Sequence, residues 1–407
     1  MMKATRFSHQ LIRSRAWWFP VAAGLTAVLV ACGGGGGSNG ATATPTAAAT
    51  ATTFSGPITG FGSVIVNGVR IDDNSATITL DDDNGGGRDA DLKLGMMVDI
   101  QGEHDNGAQT GRATSISSHS FVQGPISAIN VAGNQLTVLG VVVTVVPGTA
   151  FGGTNVTSLA SLALNDSVEI HGLPDATGSK VTATRIERIP STNEVRLIGT
   201  AQSATTGQFA LNGLAVQYTA ASLVNLPNGV TNGMTVRVKG NLSGTSTIVA
   251  SRIRQVSLVP ALAEGQRLEV KGVISTFSSA SSFSISTLRV TVPSTATVSG
   301  TPALGTRVEV KGTIVQGVLV ATQVEVENEN EPAEAHEFHS VIATIDKSQQ
   351  TLTLRDGSVV VKWDGSTVFD TATLPRGADD LVAGLKLEVK GRLTGNAVLA
   401  SRIKRDN

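Results

Sequence analysis

The amino-acid sequence predicts an all-β protein, a tandem array of about five small barrels after a signal peptide and a flexible tether. Three observations carry this expectation. Aromatic residues make up 4% of the chain and charged residues 15%, with 45 glycines among abundant Ser, Thr, Ala and Val; this mixture suits short strands and turns better than long helices. One alternating stretch closed by glycine recurs along the chain. Each copy keeps register with two other landmarks, which chance alternation does not do. Mean hydropathy is slightly positive, so most of the chain is able to bury a core.

The recurring stretch reads "VDIQG" at Val98–Gly102, "VEIHG" at Val168–Gly172, "VRVKG" at Val236–Gly240, "RVEVKG" at Arg307–Gly312 and "LEVKG" at Leu387–Gly391. Candidate unit starts lie upstream at Gly56, Gly124, Gly199, Gly272 and Ser340, about 70 residues apart. A closing segment follows each copy: "ATSI" at Ala113, "ATRI" at Ala183, "ASRI" at Ala250, "ATQV" at Ala321 and "ASRI" at Ala400. A sixth copy, "LEVKG" at Leu268–Gly272, is read as the opening strand of the fourth unit, because the third opens comparably with "VRLIG" at Val195–Gly199. A vestigial unit within 257–272 is the alternative.

The second unit shows the strand order. Period-two patterns and turn residues place strands over 121–130, 135–139 and 141–146, a crossover with one helical turn over 157–165, and strands over 168–172 and 181–189. Five strands with a crossover between the third and fourth match a small OB-like Greek-key barrel. In "RVEVKG", Val308 and Val310 are expected to face the core, with Glu309 and Lys311 on the solvent side. Gly312 is expected to end the strand where a turn or bulge needs positive φ or close backbone approach. Each unit is small for independent stability, so contacts between sequence neighbours are expected, and removing the fifth unit should weaken the fourth.

The N-terminus carries an address. Basic residues Lys3, Arg6, Arg13 and Arg15 precede the apolar run Phe19–Ala31, which is short for a membrane span and suited to a signal peptide. The run ends in "LVAC", Leu29–Cys32, which resembles the bacterial lipobox. That resemblance implies cleavage before Cys32, a diacylglyceryl group on its sulfur and acylation of its new amino group; the alternative is a plain signal peptide with a chance Cys. Acyl chains at this number anchor stably. Gly33 stands where an Asp would retain such a protein at the inner membrane, so the cell outer membrane is the expected location, facing periplasm or surface. Residues 33–53, rich in Gly, Ala and Thr, read as a tether with a reach on the order of 25 Å. Cys32 is the only cysteine, so no intramolecular disulfide braces the chain.

The stretches "GFGSVIVNGVRI" (Gly60–Ile71) and "LKLGMMVDIQG" (Leu92–Gly102), with their later equivalents, resemble the bacterial lipoprotein repeat family catalogued as domain of unknown function 5666. The resemblance implies fold and location, and transfers no catalytic residue. The boundaries that follow are 1–31 signal peptide, 32–54 lipidated Cys and disordered tether, repeats at 55–120, 121–190, 194–257 and 266–327, an acidic linker at 328–337, and a fifth repeat at 338–407.

Chemistry is sparse. The formal net charge is −1, and removing the four N-terminal basic residues leaves the remainder about five charges negative. That balance argues against nucleic acid as a partner, since phosphate neutralisation drives such binding. No nucleophile elbow, P-loop, H-E-x-x-H or paired-Cys pattern is present. His171 occupies an outer strand slot and reads as solvated. The acidic stretch Asp81–Asp91 fails the EF-hand pattern, with Gly85 and Leu92 where ligands belong. Phe121, Phe209 and Phe283 fall at core positions, and Trp363 reads as partly exposed. The candidate metal ligands are His336 and His339 with Glu334 and Glu337, a set suited to Zn²⁺ or Cu²⁺. The expected function is a non-enzymatic, membrane-anchored envelope lipoprotein serving structure or protein contact. It needs no cofactor beyond the lipid on Cys32. The alternative is a binder of divalent metal or extracellular polymer.

Overall fold

The recurring stretch is the fourth strand of a closed barrel, repeated five times. The computed structural model describes residues 50–80, 86–87, 91–105, 110–175, 177–256, 262–285, 287–327, 336–355 and 359–406. Residues 1–49, which hold the expected signal peptide, Cys32 and most of the expected tether, lie outside them. Among the described residues there is no α-helix, and no helix is long and apolar enough to cross a membrane.

In the second barrel, strands Val122–Asn130, Gln135–Val138 and Val141–Gly152 form an antiparallel meander. A 3₁₀ turn at Leu159–Ser161 crosses to the fourth strand, Ser167–Pro174, which pairs with the first strand and with the fifth, Lys180–Arg188. The third and fifth strands run parallel and close the barrel. The ring order one-two-three-five-four is that of an OB barrel, and the other four repeats keep it. "LEVKG" at Leu268 does open the fourth barrel, inside its first strand Arg267–Ser279.

The glycine of the repeated stretch stands at a β-bulge. The register between fourth and fifth strands slips at Gln101/Gly102, His171/Gly172, Lys239/Gly240, Lys311/Gly312 and Lys390/Gly391. The strand runs on past the glycine rather than ending there. None of the five has positive φ; a Cβ on each would overlap a carbonyl oxygen of the fifth strand, at Arg112, Thr182, Val249, Val320 and Leu399. Close approach, not left-handed backbone, demands glycine.

The closing segments complete the same device. Their Ala113, Ala183, Ala250, Ala321 and Ala400 are buried opposite the glycine. The next residue is the bulged one, and in four barrels its hydroxyl donates back across the slip: Thr114 to Gln101 O (3.0 Å), Ser251 to Lys239 O (3.2 Å), Thr322 to Lys311 O (3.1 Å) and Ser401 to Lys390 O (3.0 Å).

Sequence neighbours meet in part, barrel two with three and barrel one with two, but barrel one also pairs with barrels four and five, far along the chain. The first strands carry the joints between barrels. Thr52–Ser55, in strand Thr50–Phe61, pairs in parallel with Arg267–Val270 of barrel four. Gly60 and Phe61 pair with Glu337 and Phe338, in strand His336–Asp346 of barrel five. Barrels two and three join through Val122–Gln123 and Arg196–Leu197. In an OB barrel the two halves of the first strand pair with different partners, so each half has an exposed edge; pairing these edges removes the hazard of open backbone donors.

The cores follow the joints. Phe54, Ile58 and Phe61 of barrel one share one cluster with Phe338, Trp363 and Leu387 of barrel five, while barrels two and three share another and barrel four has its own. Removing repeat five therefore strips cover from the core of barrel one. Trp363, expected to be partly exposed, is buried in that joint core. Phe121, Phe209 and Phe283 are buried as expected.

Two strand starts lie outside the expected boundaries. Barrel one begins at Thr50, inside the expected tether, and barrel five at His336, inside the expected linker. Both extensions are held by backbone pairing, Thr50 to His104 and His336 to Gly391, which leaves little apolar periodicity to read.

At the seam between barrels one and five, a Cβ on Gly60 would overlap the carbonyl of Glu337. Gly60→Val is expected to part this seam and cost roughly 1–3 kcal/mol through overpacking. Hydrogen exchange over Glu337–Phe338 reads it; protection equal to that of the unmodified chain is the contrary result.

Candidate functional site

The outer slots of the fourth strand, with their neighbours on the first and fifth strands, form an equivalent polar face on each barrel. In barrel five the registered pairs are His339 with Glu388 and Glu337 with Lys390, and then Glu388 with Lys404 and Lys390 with Arg402. In barrel four they are Lys271 with Glu309 and Glu269 with Lys311. Barrel one places Ser55 opposite Asp99. These slots were expected to face solvent. Two of them are buried instead: His171 is 2% exposed and Arg237 4%. Burial overturns the solvated reading of His171, whose Nε2 lies 3.0 Å from Glu169.

The face of barrel four joins barrel one electrostatically. His104 Nδ1 lies 2.8 Å from Glu269 Oε1, and Lys311 Nζ lies 3.2 Å from Glu269 and 3.3 Å from Glu309. Asn67 Nδ2 donates to the Glu269 carbonyl (3.2 Å), and Gln266 bonds Thr53. Barrels one and two meet through Lys93–Glu187 (2.6 Å) and through Arg185, which donates to the Leu94 carbonyl (3.0 Å). Arg355 of barrel five lies over the Phe61 ring at 3.8 Å and donates to the Leu92 carbonyl.

The face of barrel five is the candidate metal centre. Glu337, His339 and Glu388 place one ligand atom each within 4.8 Å of one another. His339 Nε2 lies 3.0 Å from Glu337 and Nδ1 lies 3.2 Å from Asp406. A carboxylate on the far ring nitrogen is the outer-shell arrangement that fixes a histidine tautomer for metal binding through the other nitrogen. Burial opposes ionisation of Glu337, but hydrogen bonds from Lys390 and His339 outweigh it and hold the carboxyl below its usual range. Asp406 is lowered in the same way, against burial, by Lys386 and His339. The lysines at 386, 390 and 404 already pair these carboxylates, so an ion would compete with them. A Glu–His–Glu set leaves a fourth tetrahedral position open and suits a borderline divalent ion.

The structure divides the expected ligand set between two faces. His339 and Glu337 share a face, as residues two apart on a strand must. His336 lies on the opposite face, buried and stacked on Phe338 with ring centroids 6.5 Å apart. Glu334 lies outside the described residues. Glu388 and Asp406 are the ligand and the outer partner that sequence proximity did not bring forward; the outer slot of "LEVKG" was the available signal for Glu388. Most of the acidic stretch Asp81–Asp91 also lies outside the described residues; its Gly86–Gly87 pairs with Ile78–Thr79, which places the stretch between the third and fourth strands.

Fold and faces together define a repeat protein built from OB-type barrels. The chain belongs to the DUF5666 family, a domain of unknown function matched five times, at residues 55–117, 123–187, 198–254, 271–325 and 340–404. No curated protein matches it. Among solved structures, "drosophila Unr CSD456" is 17% identical, with 52% of this chain and 100% of that chain covered and a TM-score of 0.17. A multidomain protein with nucleic acid binding domains from Streptococcus pneumoniae is 10% identical, with 51% and 72% covered and a TM-score of 0.12.

Proposed function

We propose that the protein is a non-enzymatic lipoprotein anchored in the bacterial outer membrane, holding a body of five barrels at the envelope for structural or protein contact. The observation that carries this reading is "LVAC" at Leu29–Cys32, with the single cysteine of the chain at the position that lipidation requires. The joints between barrels support it: a body whose barrels pair along their first strands suits a spacer or contact platform. The acidic balance beyond the N-terminus disfavours nucleic acid as the partner. Cells grown with radiolabelled palmitate are expected to label the protein and retain it in the outer-membrane fraction, with both lost in Cys32→Ser. An unlabelled wild-type chain sinks the proposal.

A second reading, divalent-metal binding, is favoured by the Glu337–His339–Glu388 cluster. Calorimetric titration with Zn²⁺ is expected to show one site, lost in His339→Ala and kept in His336→Ala. No heat above dilution, or equal loss in both variants, removes it.

A further inference from the structure

Where barrels one, two and three meet lies a half-open cavity of about 110 Å³, to which barrel one contributes Ser55, Met97, Val98, Asp99, Ser117 and His119, and barrels two and three contribute Phe121, Gly172, Pro174 and Ile198. Its walls differ in chemistry. Barrel one contributes the polar wall, because Asp99 is an outer slot of "VDIQG" and Ser55 and Ser117 flank it in register on the first and fifth strands. Barrels two and three contribute the apolar wall. Ser55 Oγ donates to Asp99 Oδ1 at 2.7 Å, and Ser117 Oγ donates to the Asp99 carbonyl at 3.4 Å. No Lys or Arg is among the described lining residues. In barrels four and five the same slot holds a glutamate paired with lysine, Glu309 with Lys311 and Glu388 with Lys404. In barrel one the carboxyl is recessed and meets a hydroxyl instead.

We propose that this cavity binds a primary alkylammonium group, the charged nitrogen on Asp99 and the two serine hydroxyls and the alkyl body against Phe121, Pro174 and Ile198. An ammonium has three donors and no acceptor. The Asp99 carboxylate and the oxygen lone pairs of Ser55 and Ser117 are three acceptors on one wall. An anion or a neutral acceptor would leave the carboxylate uncompensated. The volume is somewhat below that of an engineered cavity of about 150 Å³ that holds benzene, which suits an alkyl chain of four or five carbons within the cavity. Desolvation raises the Asp99 carboxyl above its usual range, against the Ser55 hydrogen bond; a bound cation would relieve that burial cost. The same chemistry is offered by a small free amine and by the side chain of a lysine on a partner.

Met97 lines the cavity and gives a local probe. In the full chain with ¹³C-methyl methionine, n-butylammonium is expected to shift the Met97 methyl resonance saturably while Met234 stays in place. The neutral isostere n-butanol is expected to bind at least about 10-fold more weakly, as is n-butylammonium to Asp99→Asn, from loss of the charged hydrogen bond. Nα-acetyl-lysine methylamide separates the sources: matching affinity assigns the site to a partner's lysine, and exclusion of this larger probe assigns it to a free amine. Equal shifts from n-butanol and n-butylammonium in the unmodified chain overturn the proposal. So does the absence of any saturable Met97 shift at tens of millimolar amine.

Discussion

Phe338→Ala is expected to lower the unfolding free energy by about 3–5 kcal/mol, the usual cost of emptying a buried aromatic site. Phe338 is fully buried, its ring centroid is 6.5 Å from that of Phe61, and the two belong to one core although they stand 277 positions apart in the chain. The loss should therefore appear in two barrels. Hydrogen-exchange protection is expected to fall in strand Thr50–Phe61 of barrel one as well as in strand His336–Asp346 of barrel five. Loss confined to barrel five would show that the two cores are energetically separate.

Glu269→Ala at the seam between barrels one and four should cost a similar amount, about 3–5 kcal/mol, for a different reason. Glu269 is 5% exposed, and its removal leaves the buried His104 without the carboxylate at 2.8 Å and Lys311 with Glu309 alone. Breaking one side of a buried pair costs more than the pair contributes, because the remaining group stays desolvated. The double variant His104→Ala/Glu269→Ala should recover part of the loss, with a coupling of roughly 1–3 kcal/mol. Chemical denaturation of the four chains measures it. Strict additivity would mean that the two side chains do not interact across the seam.

The two seams differ in kind. Barrels one and five merge apolar cores, a non-directional join whose strength follows buried area. Barrels one and four meet through charges and hydrogen bonds, which contribute less to net stability and more to orientation. Barrel one, with its first strand paired to both partners, is the hub of this half of the molecule.

The barrel itself was legible. Val308 and Val310 lie in the core as alternation required, and the single turn expected over 157–165 is the 3₁₀ turn Leu159–Ser161. The glycine and the Ala–Ser/Thr that follow it downstream encode one bulge between them; the bulge and close backbone approach expected at the glycine are present, while the strand end expected there is not. The metal candidate was half legible. His339 and Glu337 were found because they are close in sequence; His336 was included on the same ground and lies on the other face. Glu388 and Asp406 arrive from strands that only barrel closure brings near. The sealed faces were not legible, since an outer slot in a period-two pattern reads the same whether water or another barrel covers it.

By itself, then, the sequence determined the number of barrels, their strand order and the bulge that closes each, because these rest on side-chain alternation and on backbone constraints within a few residues. Which barrels touch, which histidines are buried and where a recessed carboxyl meets an apolar wall were decided by the tertiary structure alone. Those contacts arise between surfaces far apart in the chain, selected by edge pairing and by fit, and such complementarity leaves no periodic trace along either segment.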